Sequence, residues 1–334
     1  MFDYCILALL KVNSAKIGKS PKHKSAGNMK DKNKYSTSQL FNFARDSYFE
    51  RTSRPIYAVV FLLPFIVFYE LGTIFINTDL LRRYWQGRVV AFVWLQEFLE
   101  HVGFGSKLAW AATPLAVVVI LIALQLTSRK SWQFGFGDFG PMTVECVLLA
   151  VPLIVLGLLL NSPAKPRGDT DQFAAASAQI HTVAVPSCSS AANDSLPGPA
   201  EDDGRGSAAM KLLADIVTCI GAGIYEELVF RLILICVLMV LFQNVFRLSR
   251  KNSIILSVLV SAALFSAHHH IDFFSGRLYQ RGPFNLTEFG FRTIAGIYFA
   301  VLFAIRGFGI TAGAHAFYDI IATVINAAFF TSGN

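Results

Sequence analysis

Ionisable side chains lie inside long apolar stretches of this sequence in three places. They are the group Glu226, Glu227 and Arg231, the histidine run 268–270, and the pair His315 and Asp319. An ionisable group in the middle of a lipid bilayer costs at least about 2.5–3.5 kcal/mol on insertion scales. Each of these groups therefore needs a partner or a function, and carboxylates near histidines are suited to proton transfer in catalysis.

The first group predicts two carboxylates with different tasks. On a helix, Glu227 and Arg231 lie one turn apart on the same face, in the order that favours an ion pair. Glu226 points about 100° away from Glu227 and lacks that partner. A carboxylate without a cation partner in a cavity of low dielectric constant suits a general base or acid. The alternative is that all three residues form one buried ion-pair network.

The two histidine groups leave more choices open. Successive side chains of the run 268–270 diverge around a helix, so at most one of them faces a cavity. We expect His268 and His270 to end their span at the membrane interface. His315 and Asp319 lie one turn apart, so the carboxylate can accept a hydrogen bond from the ring, or both can face a shared site.

The composition places these groups in a membrane protein. Apolar residues make up 54% of the 334 residues and charged residues only 15%, which is too apolar for an ordinary water-soluble surface. Continuous apolar runs of about 20 residues predict membrane-spanning helices. We therefore predict an all-α polytopic bundle of seven or eight spans that encloses a polar intramembrane cavity, with an amphipathic interfacial piece at 94–102. The seven spans that can be placed are Ile56–Asn77, Leu108–Leu126, Met142–Leu160, Met210–Phe246, Ile254–His270, Phe291–Ile305 and Ile310–Phe330.

The chain divides into four parts. Residues 1–55 form a basic amino-terminal arm, residues 56–160 hold the first spans, residues 161–208 form a disordered extramembrane loop, and residues 209–334 form the helical core with all three ionisable groups. Beside a span, the basic arm is better explained as a positive-inside signal that attracts anionic lipid than as a nucleic-acid tail. We expect an integral protein of the plasma membrane with a cytoplasmic amino terminus. The five cysteines have no paired spacing and indicate neither a disulfide framework nor a thiolate zinc site.

Three short motifs occur in order on separate predicted helices. They are Glu226-Glu227-Leu228-Val229-Phe230-Arg231, Phe265-Ser266-Ala267-His268-His269 and His315-Ala316-Phe317-Tyr318-Asp319. This ordered set resembles the EExxxR, FxxxH and HxxxN or HxxxD motifs of the CAAX protease and bacteriocin-processing family. Members of that family are membrane endopeptidases related to the type II CAAX prenyl endopeptidase. The resemblance covers about residues 210–330.

The resemblance implies a helical bundle around a hydrophilic cavity. In it, Glu226 and His269 would activate a water, and His315 and Asp319 would stabilise the oxyanion. Asp319 departs from the family, because the type II prenyl endopeptidases typically carry Asn there. We expect the Asp319 carboxylate to hold His315 in its cationic form, so that the imidazolium is the electrophile.

The resemblance also implies supporting positions. Glu227 and Arg231 would support the motif helix, and the spacing from Phe265 selects His269 from the histidine run. The zinc motif HExxH is absent, so we expect no required cofactor. The alternative is a zinc ion held by Glu226, His269, His315 and Asp319.

The sequence therefore favours an intramembrane endopeptidase that acts on a peptide or protein substrate at the bilayer, of the CAAX type or another membrane-associated type. No nucleic-acid partner is expected. Two other functions stay open. One is a transporter or proton relay, for which intramembrane carboxylates such as Glu70 would be relevant. The other is a catalytically silent membrane immunity or binding protein that keeps the fold.

Overall fold

The computed structural model describes residues 47–76, 89–128, 130–161, 204–271 and 286–330. Most of the predicted basic arm, 1–55, and of the predicted loop, 161–208, lies outside the described residues. The described residues form α-helices joined by turns, with three π-helical stretches and a short 3₁₀ turn.

The bounds of these elements follow the apolar stretches of the sequence. In chain order they are α1 (Tyr48–Thr52), α2 (Pro55–Ile76), α3 (Val90–His101), α4 (Ser106–Ser128), the 3₁₀ turn Phe136–Asp138, α5 (Phe139–Asn161), α6 (Gly204–Glu227), the π-helix Leu228–Leu234, α7 (Ile235–Val240), the π-helix Leu241–Val245, α8 (Arg250–Ala267), α9 (Leu286–Arg306), α10 (Phe308–Ile325) and the π-helix Asn326–Phe330.

Seven stretches of the described residues are long and apolar enough to cross a membrane, which confirms the predicted polytopic all-α bundle. The stretch from α6 to the second π-helix counts as one of them, Ala209–Val245. Large apolar side chains such as Leu71, Leu115 and Leu148 lie exposed on the outside of the bundle. In a water-soluble protein such a surface would be unstable, whereas lipid covers it without cost, so the chain is an integral membrane protein.

The fifth predicted span, Ile254–His270, is displaced along the chain, because the helix begins at Arg250 and ends at Ala267. The backbone N–H groups of His269 and His270 reach only three residues back, His269 donating to Ser266 at 3.3 Å. These tighter bonds close the chain into a turn, so the three histidines follow the helix instead of continuing it.

Helix α10 is the centre of the bundle because its small residues let neighbouring backbones approach. A β-carbon added at Gly309 would lie 2.9 Å from the Ala58 Cα, and one added at Gly313 would lie 2.7 Å from the Cys146 Sγ. Gly309 and Gly313 therefore form a small-residue repeat of the kind that packs membrane helices tightly.

The same close approach joins α10 to α6. A β-carbon added at Gly223 would lie 2.5 Å from the backbone nitrogen of Ala316. Gly223 stands one turn before the two glutamates, and Ala316 directly follows His315 in the chain. The absence of a side chain at Gly223 thus lets the carboxylates and the histidine face one another.

A buried polar network fixes the turn between α9 and α10. Arg306 is 4% exposed and donates from Nε to the Glu145 carboxylate at 2.5 Å and from Nη2 at 2.8 Å. It also donates to the Phe49 carbonyl and the Thr52 hydroxyl, each at 2.8 Å. Gly307 follows with φ of 79°, a left-handed conformation that favours glycine. The network ties α9 to α1 and α5 and sets where α10 begins.

The cysteine expectation needs one correction. Cys219 is disulfide-bonded, whereas Cys146 and Cys236 are free and buried.

We predict that Gly223→Ala lowers the unfolding free energy by about 1–3 kcal/mol, because the added methyl group meets backbone that cannot move aside. Thermal denaturation in detergent or nanodiscs measures this loss. Gly140→Ala is the matched control, since a β-carbon at Gly140 in α5 has nothing within 4 Å. Equal melting temperatures for the two variants would contradict the close approach of α6 and α10.

Candidate active site

Two adjacent glutamates end α6 and are both buried, Glu226 with 5% and Glu227 with 0% of its surface exposed. They stand where the helix changes into the π-helix Leu228–Leu234, a local widening that is frequent at functional sites. Because adjacent residues on a helix point about 100° apart, the two carboxylates face different neighbours.

Glu227 contacts Arg231 with one carboxylate oxygen and His315 with the other, inside the bundle. Its Oε2 lies 3.2 Å from the Arg231 Nε, and its Oε1 accepts a hydrogen bond from the His315 Nδ1 at 2.7 Å. The expected pair of Glu227 and Arg231 is therefore present. The Arg231 guanidinium also lies 4.1 Å from the ring centre of Phe265, whose face attracts a cation. Glu227 thus connects the supporting residues to the proposed electrophile.

His315 has a carboxylate on either side of its ring. Its Nδ1 faces Glu227, and its Nε2 lies 3.5 Å from the Asp319 Oδ2 and 3.9 Å from the Glu226 Oε2. The ring of Phe299 stacks on it with a centroid distance of 4.6 Å. The sequence placed Asp319 as the carboxylate that orients His315, and the structure brings the two together. The short hydrogen bond of His315, however, is donated to Glu227 on another helix.

Two histidines of the run lie close to Glu226. The Nε2 of His268 is 3.6 Å from the Glu226 Oε1, and its Nδ1 contacts the Phe265 carbonyl oxygen. His268 is buried, at 3% exposure, whereas the sequence placed it at the interface. The expected catalytic histidine, His269, packs the edge of its ring against Phe265 with centroids 5.4 Å apart.

His269 is held in its neutral form. Burial lowers the pKa of His269 well below its usual range, and the nearby Arg292 cation lowers it further. The neutral ring keeps a lone pair with which it can accept a hydrogen bond from water or bind a metal ion.

The four expected catalytic residues meet at one cavity of about 30 Å³. By volume it holds roughly two water molecules at most, so it is too small for a peptide as it stands. Its walls are Glu226, His269, His315 and Asp319 together with Phe265, Phe291, Arg292, Ala295, Phe299 and Tyr318.

Sequence reasoning missed three residues at this site: His268, Arg292 and Tyr318. Arg292 lies on α9, where its Nη2 pairs with the Glu288 carboxylate at 2.8 Å. An arginine inside an apolar predicted span was a usable signal, by the same argument that selected Glu226. His268 carried the same signal as part of the run 268–270, but it was expected at the membrane interface. Tyr318 is not charged and held no such signal.

Part of this site could hold a metal ion. Glu226, His268 and His269 each offer a ligand atom, and these atoms all lie within 4.8 Å of one another. Two imidazole nitrogens and a carboxylate oxygen are donors that zinc accepts. This set shares Glu226 and His269 with the zinc set expected from the sequence, and it has His268 in place of His315 and Asp319.

Residues 208–321 match the family model described as type II CAAX prenyl endopeptidase Rce1-like. This part of the chain is similar to that family. The match confirms the resemblance seen in the sequence, and all three motifs lie inside it. The Rce1-like domain begins near the start of α6, so the three spans of the amino-terminal half lie outside it. No curated protein and no solved structure matches the chain. The matched family is a protease family, and the match covers 114 of the 334 residues.

We predict that Glu227→Gln destabilises the Rce1-like domain by about 3–5 kcal/mol, because it leaves the buried Arg231 without its counter-charge. The melting temperature of the purified protein measures the effect. Glu288→Gln is the matched control: it also breaks an ion pair four residues apart, but the Glu288 side chain is 36% exposed, so its loss costs less than about 1 kcal/mol. A Glu227→Gln protein as stable as the Glu288→Gln protein would show that Glu227 carries no structural charge pair.

Proposed function

We propose that the protein is an intramembrane endopeptidase that hydrolyses a peptide bond with a water activated by Glu226 and His269. The observation that carries the proposal is the meeting of Glu226, His269, His315 and Asp319 at one small buried cavity. Similarity of residues 208–321 to a protease family supports the same reaction class.

The proposed reaction needs one proton carrier and one electrophile. Glu226 takes a proton from the water while the water oxygen bonds to the carbonyl carbon, and the neutral His269 orients that water through a hydrogen bond. His315, held cationic between Glu227 and Asp319, donates to the oxyanion that forms. When the carbon–nitrogen bond breaks, Glu226 returns its proton to the leaving amine.

The proposed reaction requires no metal ion. The two carboxylates Glu226 and Asp319 and the two histidines His269 and His315 can together bind and polarise a water. Because the cavity is lined by buried side chains, these fixed groups act at a lower dielectric constant than bulk water, where each charge has more effect.

The proposed substrate is a peptide or protein segment at the membrane surface, of the CAAX type that the family description names or another membrane-associated type. The cavity of about 30 Å³ admits only water-sized groups, so the helices must separate to admit the scissile bond. The lipid bilayer is the second partner, and no nucleic acid is involved.

The proposed location is the plasma membrane with a cytoplasmic amino terminus. The Lys130 ammonium lies 3.1 Å from the Glu50 carboxylate. This contact supports a common side for the loop after α4 and for the end of the basic arm. Basic residues collect on the cytoplasmic side of membrane proteins.

A proton relay is less well supported. Glu70 accepts a hydrogen bond from the Tyr225 hydroxyl at 3.2 Å and does not line the cavity of about 30 Å³. Among the residues described as lining that cavity, the carboxylates are Glu226 and Asp319, so the lining gives no series of carboxylates that could pass a proton from Glu70 to Glu226. A catalytically silent immunity or binding protein is distinguished from the enzyme only by the activity measurement below.

We predict that Glu226→Gln reduces cleavage about 10²- to 10⁴-fold, the usual contribution of a general acid or base, with the melting temperature nearly unchanged. Cleavage of a library of prenylated and unprenylated peptides by the protein in nanodiscs measures it, with Glu97→Gln on α3 as the matched control. Full activity of Glu226→Gln would refute the assignment. An inactive wild-type protein across the library would favour the silent binding protein.

We also predict that activity survives exhaustive chelation. The chelated protein is assayed on the same peptides after elemental analysis has shown less than one metal ion per chain. Loss of activity that only added zinc restores would transfer the water-activating role to a metal ion.

A further inference from the structure

We propose that a second cavity, at the start of α2, is a binding site for the phosphate group of an anionic lipid headgroup. It is lined by Arg51, Arg54 and Tyr57 and by residues of the loop 131–138 between α4 and α5. Its volume of about 480 Å³ is within the range of about 300–1,000 Å³ for small-molecule sites. The two cavities share no lining residue, so this site is independent of the proposed function.

The charges around this cavity favour an anion with a single charge. Arg51 pairs with Asp138 at 3.0 Å. Arg54 and Lys130 both contact the Glu50 carboxylate, at 2.6 and 3.1 Å. Three cations against two carboxylates leave one positive charge among these five described residues. A phosphodiester is a monoanion and balances that charge.

The Asp138 carboxylate lines the cavity, but its charge is compensated within the protein. Its Oδ1 accepts a hydrogen bond from the Arg51 Nη2, and its Oδ2 accepts one from the Arg51 Nε at 3.2 Å and one from the Tyr57 hydroxyl at 2.7 Å. The Arg51 side chain is nevertheless 35% exposed. A guanidinium fits the oxygens of a phosphate group with parallel N–H donors, so Arg51 is the residue that a headgroup would contact from the surface.

The walls of this cavity are fixed by polar contacts inside the protein. Gln125 on α4 is fully buried, and its Nε2 donates to the carbonyl oxygens of Lys130 and Ser131 at 3.0 and 3.1 Å. The Gly135 N–H donates to the Tyr57 hydroxyl at 3.1 Å. These contacts attach the loop to α4 and α2. A site that is already formed loses less free energy to ordering when its ligand binds.

Exposed aromatic side chains place this cavity at the surface of the membrane. Trp132, Phe134 and Phe136 all lie exposed in the loop, Phe136 with 76% of its surface. Aromatic side chains of this kind collect where lipid meets water. Helix α5 begins directly after the loop, at Phe139, and exposes Leu148 on the outside of the bundle. The cavity therefore lies at the depth of the headgroups, where basic pockets bind anionic lipid, and a lipid can reach it without leaving the bilayer.

Native mass spectrometry tests the site without any assay of activity. The full-length protein is released from detergent micelles after incubation with phosphatidylglycerol or with phosphatidylcholine. We expect one phosphatidylglycerol per chain to be retained under conditions that remove phosphatidylcholine, whose headgroup has no net charge. Arg51→Gln should weaken the binding of phosphatidylglycerol by about 10-fold or more, the usual effect of losing a hydrogen bond to a charged group.

Gly137→Phe is a second variant that keeps the test valid if Arg51→Gln unfolds. Gly137 lines the cavity, and a β-carbon added there has nothing within 4 Å. The added ring should fill part of the cavity and weaken phosphatidylglycerol binding while every charge is retained. Lys251→Gln is the matched control, because it removes an exposed cation on α8 outside the cavity and should leave the binding unchanged.

Equal retention of the two lipids would overturn the proposal, as would unaltered phosphatidylglycerol binding in both Arg51→Gln and Gly137→Phe. An equal loss of binding in Lys251→Gln would show attraction by the overall charge instead of a site. Glycerol 3-phosphate, which has the phosphate group without acyl chains, distinguishes the two sources of phosphate. Its tight binding, with no displacement by phosphatidylglycerol, would refute a lipid as the occupant.

Discussion

Glu227 is the residue on which the arrangement of the site depends. It has no exposed surface, and its two oxygens face Arg231 on its own helix and His315 on α10. A buried carboxylate is tolerated only with such partners, because the cost of removing it from water is several kcal/mol. The same pair of contacts fixes the rotation of two helices about their axes. Glu226, the adjacent residue, is thereby directed away from Arg231 and towards the cavity.

The backbone permits this contact only where side chains are absent. Gly223 removes the β-carbon that would collide with Ala316, one turn from Glu227 and one residue from His315. Arg306 and Gly307 determine where α10 begins, since the arginine is bonded to Glu145 and the glycine adopts φ of 79°. The charged contact, the small-residue contact and the turn therefore act on the same helix. The charged contact depends on the close approach, because a carboxylate cannot reach a histidine across a gap of one side chain.

The sequence predicts which segments form helices better than it predicts how deep each site residue lies in the bundle. Apolar runs mark the seven spans because helix formation in lipid follows from composition alone. The same runs place His315 only five residues after the start of its span at Ile310, less than two helical turns, which would leave it far from Glu226. In the structure the first turn of α10, including Phe308 and Ile310, is already buried, so His315 lies deep inside the bundle. Hydropathy cannot show this, because it does not distinguish a neighbour made of protein from one made of lipid.

Helical periodicity predicts side-chain partners only within one helix. It predicts the contact of Glu227 with Arg231 and the contact of His315 with Asp319, each pair being four residues apart. It could not find the bond from His315 to Glu227, which joins residues 88 positions apart. Nor could it find the contact of His268 with Glu226, because the turn after Ala267 changes the direction in which the histidines point.

The charges of the site bear on its proposed chemistry. Three buried carboxylates face one buried guanidinium that belongs to the same cluster, namely Glu226, Glu227 and Asp319 against Arg231. Arg292 adds no net charge, since Glu288 pairs with it. In surroundings of low dielectric constant this excess of two negative charges must be neutralised. Protons on the cluster achieve that. A proton on His315 makes its ring the cation that the proposed oxyanion contact needs, while Glu226 stays free to accept the proton of the attacking water.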